Sequence, residues 1–124
     1  MSKQVKAIPE GYHALTPYFT VRDAAKAIEF YKKAFGAEEH MRMAGPDGKI
    51  VHAEVRIGDS RVMLSDEHKQ WGNLSPRTLG GTAGSLTVTV PDAEAALARA
   101  VAAGATPTIP VTDHCSGHRS GNAL

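Results

Sequence analysis

"PYFTVRDAAKAIEFYKKAFGAEE" (residues 17–39) changes periodicity part way along. Its opening, within "TPYFTV" (16–21), is rich in β-branched and aromatic residues and reads as a strand. From Asp23 onward Ala24, Ala27, Ile28, Tyr31 and Phe35 recur at helical spacing. Asp23 is placed to accept a first-turn N–H, and Gly36 to end the helix in a left-handed turn. A strand that feeds straight into an amphipathic helix is the seed of the fold.

Three further strands follow in "HMRMA" (40–44), "KIVHAEVRI" (49–57) and "SRVMLS" (60–65). Pro46-Asp47-Gly48 and Gly58-Asp59 separate them and supply hairpin turn chemistry. Residues 14–66 therefore read β-α-β-β-β. Residues 67–84 are polar and rich in Gly, Pro, Ser and Asn, as suits a connecting segment. The pattern then restarts in "GSLTVTVPDAEAALARAVAAGATPTIPV" (84–111), where Val90, Asp92 and Gly104 match Val21, Asp23 and Gly36. Ala96, Leu97, Ala100 and Val101 form the second helix stripe. This partial second module, residues 85–112, supplies a strand, a helix and one strand, and residues 113–124 read as a flexible polar tail. The expected fold class is α+β, a single domain of paired βαβββ modules with curved mixed sheets forming a cup, the second module incomplete.

The 124 residues suffice for one core and no more. Fourteen Lys and Arg against thirteen Asp and Glu, with no basic run interleaved with aromatics, give no footprint for nucleic acid or an anionic membrane. Charges interrupt every apolar stretch well short of the ~20 residues that a membrane span needs. "MSKQVKAI" (1–8) has lysines but no apolar region or cleavage site of a secretory signal. A single cysteine suits a reducing compartment, so a cytoplasmic protein is expected.

Side-chain alternation sorts the strands into two faces. Phe19, Val21, Val51, Ala53, Val55, Ile57, Val62, Leu64, Leu86, Val88 and Val90 make an apolar set for the helices to cover. Thr16, Tyr18, Thr20, His52, Glu54, Arg56, Arg61, Met63, Ser85, Thr87 and Thr89 make the opposite set, too polar for dry burial and expected to line a wet concavity. Within it Tyr18, His52, Glu54, Arg56, Arg61, Met63 and Thr87 are the candidate ligand-binding residues. His52 and Glu54, two residues apart on one strand and so ~7 Å apart along it, could pass a proton as weak catalytic candidates. The plainer alternative is a row of His52, Glu54 and Arg56 that only solvates the sheet. Trp71 reads either as a lid over the concavity or as a packing anchor. His114, Cys115 and His118 are too few, and wrongly spaced, for a zinc motif.

The βαβββ repeat, with "V-x-D-A-x-x-A-I-E-F-Y" at its first helix, resembles the vicinal oxygen chelate superfamily of glyoxalases, extradiol dioxygenases and bleomycin-resistance proteins. "PYFTVRDAAKAIEFYKKAFGAEE", "DGKIVHAEVRIGDSRVMLSDE" and "AVAAGATPTIPVTDH" are similar to its PhnB-like branch, over roughly residues 10–119. Relatives in that branch continue beyond the equivalent of Asp113 to a last strand, so the resemblance implies a second module cut short. It also implies metal ligands at the places of Thr16, Ser85 and Met63, where neutral hydroxyls and a thioether are poor donors to a divalent transition ion. No metal and no cofactor is therefore expected. The expected function is metal-independent binding of a neutral or anionic small molecule of unknown identity. The alternatives are a glyoxalase- or dioxygenase-type enzyme, and a degenerate interaction protein without a ligand. An unpaired sheet edge leads to the expectation of a homodimer, side by side or strand-exchanged.

Overall fold

The computed structural model describes residues 7–113 and 119–123. Strand β1 (Tyr18–Val21) leads into helix α1 (Ala24–Phe35), and β2 (Glu38–Ala44), β3 (Ile50–Ile57) and β4 (Ser60–Asp66) follow. Their sheet has the order β1-β4-β3-β2, with β1 parallel to β4 and the remaining pairs antiparallel. The β-α-β-β-β reading of the first half describes this architecture.

Helix α1 begins and ends for local reasons. The Asp23 carboxylate accepts the Lys26 N–H at 3.1 Å, and Gly36 closes the helix at φ 66°, a conformation that costs glycine nothing. One face of α1 lies on the sheet. Ala24, Ile28, Ala37, Ile50, Ala53, Val55, Val62 and Leu64 form the buried core, with Phe19, Val21, Ala27, Tyr31 and Ile57 packed at its margin. Ile50 enters that core although it lies one residue out of phase with Ala53 and Val55. The irregularity in the β2–β3 register at Met43/Ala44 accompanies this local break in parity.

Beyond β4 a 3-10 turn at Lys69–Trp71 and the single-turn helix α2 (Pro76–Leu79) form the connection. Glu67 holds this segment down. Thr78 Oγ1 donates to it at 2.8 Å, the Ser75 backbone N–H at 3.4 Å, and Arg22 lies 3.6 Å away. Helix α3 (Ala93–Ala102) repeats the α1 cap, with Asp92 accepting the Ala95 N–H at 3.1 Å. It packs on α1 and on the antiparallel pair of β5 (Pro107–Asp113) and β6 (Arg119–Ala123).

Two expectations for the second half are corrected. Residues 85–90 form no strand, and Leu86 and Val88, assigned to the core by parity, are 54% and 39% exposed. In the first half β1 is hydrogen-bonded by β4; among the described residues no strand offers residues 85–90 that partnership, so alternation alone cannot make them a strand. Conversely, the region read as a polar tail contains β6, which pairs with β5 in register Asp113↔Arg119. Arg119 bonds Asp113 at 2.8 Å and reaches Glu94 on α3 at 2.7 Å. Gly121 lets β6 approach α3, because a Cβ there would stand 3.0 Å from Leu97 Cδ2 and 3.1 Å from Val111 Cγ2. His114, Cys115 and His118 lie outside the described residues.

Candidate functional site

The face of the four-stranded sheet turned away from α1 carries the polar set. Register aligns Tyr18, Met63, Glu54 and Met41 in one row across all four strands, since Tyr18 and Glu54 both pair Met63 and Met41 pairs Glu54. His52 stands in the adjacent row opposite Met43. The Tyr18 hydroxyl reaches across β4 to His52 Nδ1 at 3.2 Å, and His52 Nε2 meets Glu54 Oε2 at 2.9 Å. With Nε2 protonated and donating to the carboxylate, Nδ1 is left to accept the phenolic O–H, so all three groups are satisfied in one chain. The side chains of His52 and Glu54 are 25% and 14% exposed, whereas Tyr18 is half exposed. Part of the chain is therefore shielded from water while its tyrosine end remains open.

The two arginines of this face differ. Arg56 and Arg61 are direct cross-strand partners, a like-charge pairing that costs energy unless each charge is compensated. Arg56 gives its charge to Glu38 at 2.7 Å on the other side. Arg61 is instead drawn under the N-terminal segment, its guanidinium 5.3 Å from the Tyr12 ring centroid.

Of the residues singled out in the sequence, Tyr18, His52, Glu54 and Met63 come together, and Arg56 and Arg61 flank them one row away. Thr87 does not join them as a strand residue: it is exposed within the non-strand stretch described above. Trp71 stacks on His68 with ring centroids 4.4 Å apart and is 62% exposed, which makes it a cover for His68. Met41, Met43 and Tyr12 were missed. Alternation in "HMRMA" would have put the two methionines on one face, whereas nothing local announces the approach of Tyr12 to Arg61.

The metal chemistry implied by the resemblance does not fit these residues. Among the described residues no three His, Cys, Asp or Glu side chains gather as a ligand set. His52 and Glu54 are two donors from one strand already bonded to each other, and the neighbouring Met63 offers only a thioether.

Comparison with known proteins agrees with this architecture. Residues 12–123 match the family model described as Glyoxalase/Bleomycin resistance protein/Dioxygenase superfamily. An uncharacterised protein of Mycobacterium bovis is 45% identical over 111 residues, covering 87% of this chain and 73% of the relative. An uncharacterised protein of Mycobacterium tuberculosis has the same identity, and the chain spans 65% of its length. Among solved structures, protein PA1353 from Pseudomonas aeruginosa superposes with a TM-score of 0.66 at 20% identity, covering 89% of this chain and 87% of that one. A V278E mutant of glyoxalase I from Zea mays superposes at 0.64 and 15% identity, covering 89% of this chain and 40% of that one. TioX from Micromonospora sp. ML1 gives 0.62 at 20% identity, with 90% and 88% coverage. At these identities the structures speak for the fold.

Proposed function

Since the chain belongs to the Glyoxalase/Bleomycin resistance protein/Dioxygenase superfamily, we propose that it binds a small neutral or anionic molecule against the open sheet face without a metal ion. The supporting observation is the hydrogen-bonded chain Tyr18–His52–Glu54, flanked by Met63 and Met41. It is a preorganised polar line set among thioethers, with an exposed phenol at one end, and combines apolar contact with a few fixed hydrogen-bonding groups as small-molecule sites do. Arg61 stands one row away as a positive end. Thr87 would join the face only if residues 85–90 became a paired strand.

The protein works as a cytoplasmic homodimer of the PhnB-like kind. Among the described residues β1 has a free outer edge, and Leu86 and Val88 are apolar and exposed beside the connecting segment. A second copy covering this region, side by side or by strand exchange, removes both liabilities. No helix of the described residues is long and apolar enough to cross a membrane.

Native mass spectrometry of protein purified without chelator tests the proposal. The expected result is a dimer that retains a small organic molecule and no stoichiometric metal. Stoichiometric zinc, nickel, iron or manganese overturns the metal-free reading, and a chain that retains no ligand and shows no saturable binding overturns the binding function.

A further inference from the structure

Among the described residues Arg61 is the basic residue of the open face whose charge no carboxylate offsets. Arg56 beside it is neutralised by Glu38, whereas Arg61 has no carboxylate partner among the described residues. Its Nε is buried and makes no hydrogen bond; its guanidinium lies 5.3 Å from the Tyr12 ring centroid and close enough to Gly11 that a Cβ there would stand 3.2 Å from Nη2. The buried Nε is out of a ligand's reach, so an incoming anion would be met by the terminal Nη groups, whose charge no described carboxylate offsets. A planar fork of N–H donors presents two parallel bonds to a carboxylate.

The other end of the face sets a second requirement. Glu54 uses Oε2 for His52, and its Oε1 accepts no hydrogen bond from a described residue. Glu54 lies in the row of Met63, one row from Arg61, and rows on one face are ~7 Å apart along a strand. Met63 adjoins both charges, opposite Glu54 across the strand pair and two residues from Arg61 along β4, and Tyr18 faces it from β1. A negative group at the Glu54 end would be repelled, while a neutral hydroxyl there would be held.

We propose that Arg61 is the anion-recognition residue of this face, and that the ligand is a monoanionic carboxylate with an apolar, ring-sized body and a neutral hydroxyl at its far end. The inference rests on the ligand-binding reading above and specifies the substrate class of the same site. Tyr12, stacked on Arg61, forms the wall beside the carboxylate.

Titration of the full chain with 4-hydroxybenzoate, with uncharged 4-hydroxybenzyl alcohol and with inorganic phosphate, followed by calorimetry and by the Tyr12 and Tyr18 ring proton signals, tests it. The carboxylate is expected to bind about tenfold or more tighter than the alcohol, as loss of a charge-assisted bond implies. Arg61→Gln should abolish that ratio, Arg61→Lys should keep part of it, and Arg77→Gln, which removes a surface charge on α2, should leave it unchanged. The melting curve of each variant reports whether it is folded. An alcohol that binds as tightly as the carboxylate, or a ratio unchanged in folded Arg61→Gln, overturns the role of Arg61 and leaves the site standing. Phosphate saturating the site as tightly as the carboxylate overturns the carboxylate assignment. Absence of any saturable shift at Tyr18 with all three probes overturns the site and this inference together.

Discussion

Asp66 and Ala24 are 42 residues apart in sequence, and the Asp66 carboxylate accepts the Ala24 backbone N–H at 2.7 Å. The other carboxylate oxygen accepts the Ile50 N–H at 2.7 Å, so the last residue of β4 ties the first turn of α1 to the start of β3. Both bonds are buried. Asp66→Ala should lower the unfolding free energy by about 2–5 kcal/mol, the cost of two orphaned buried donors. Asp66→Asn, which keeps one acceptor and sets an amide donor against the other N–H, should fall between it and the native chain. Urea denaturation measures both, and an unchanged midpoint for the alanine variant would contradict the tie.

Tyr18→Phe separates binding from folding. The hydroxyl is at the exposed end of its chain, so its loss should change stability by no more than about 1 kcal/mol. Ligand affinity should fall and the His52 ring signals should move, because Nδ1 loses its donor. Chemical denaturation and NMR of the same variant provide the comparison; binding that survives intact would remove Tyr18 from the site.

Two carboxylates make stability fall in acid. Glu39 titrates below the ordinary carboxylate range because Arg42 bonds it at 2.7 Å, with Lys32 assisting. Glu67 does so because Thr78 donates to it, with the Ser75 N–H and Arg22 adding to the effect. A carboxyl group with a depressed folded pKa contributes stability above its unfolded value near 4.3 and loses it as pH falls through the folded value. Thermal midpoints should therefore hold from neutrality down to about pH 5 and then decline. Glu67→Gln should remove part of that acid sensitivity and loosen α2, which amide hydrogen exchange at Thr78 and Leu79 would register. An acid profile identical to that of the native chain would argue against the Glu67 latch.

Gly121→Val should cost about 1–3 kcal/mol by overpacking, since its first side-chain atom already meets Leu97 and Val111 at 3.0–3.1 Å. Gly48→Ala, with open space where a Cβ would go, is the contrasting substitution: its cost should come only from the backbone angle of 81°. Equal melting temperatures for the Gly121 variant and the native protein would mean that β6 does not press on α3.

Much of the first half could be read from its sequence because each signal there was local and mutually consistent. Asp23, the 24-27-28-31 stripe and Gly36 define α1 without outside help, and Asp47-Gly48 and Gly58-Asp59 fix two hairpins. Parity also brought Tyr18, His52, Glu54 and Met63 to one face. The same rule misplaced Leu86 and Val88, because a strand requires a partner as well as alternation. It missed β6 because "RSGNA" has no apolar period, and its partner β5 lies across an intervening segment. The Asp66 tie and the Tyr12–Arg61 contact escaped for another reason: each joins groups distant along the chain by one polar or stacking contact, which composition does not encode.

Asp23 and Asp92 begin the two long helices with nearly the same backbone angles, φ −141° and −137°, and with the same three-residue reach to a free amide. The signal to start a helix is thus a short cassette present in both halves, beside a four-stranded sheet in one and, among the described residues, a two-stranded sheet in the other. A tandem duplication can consequently lose or rebuild its strands over generations while its paired helical spine keeps the original phase.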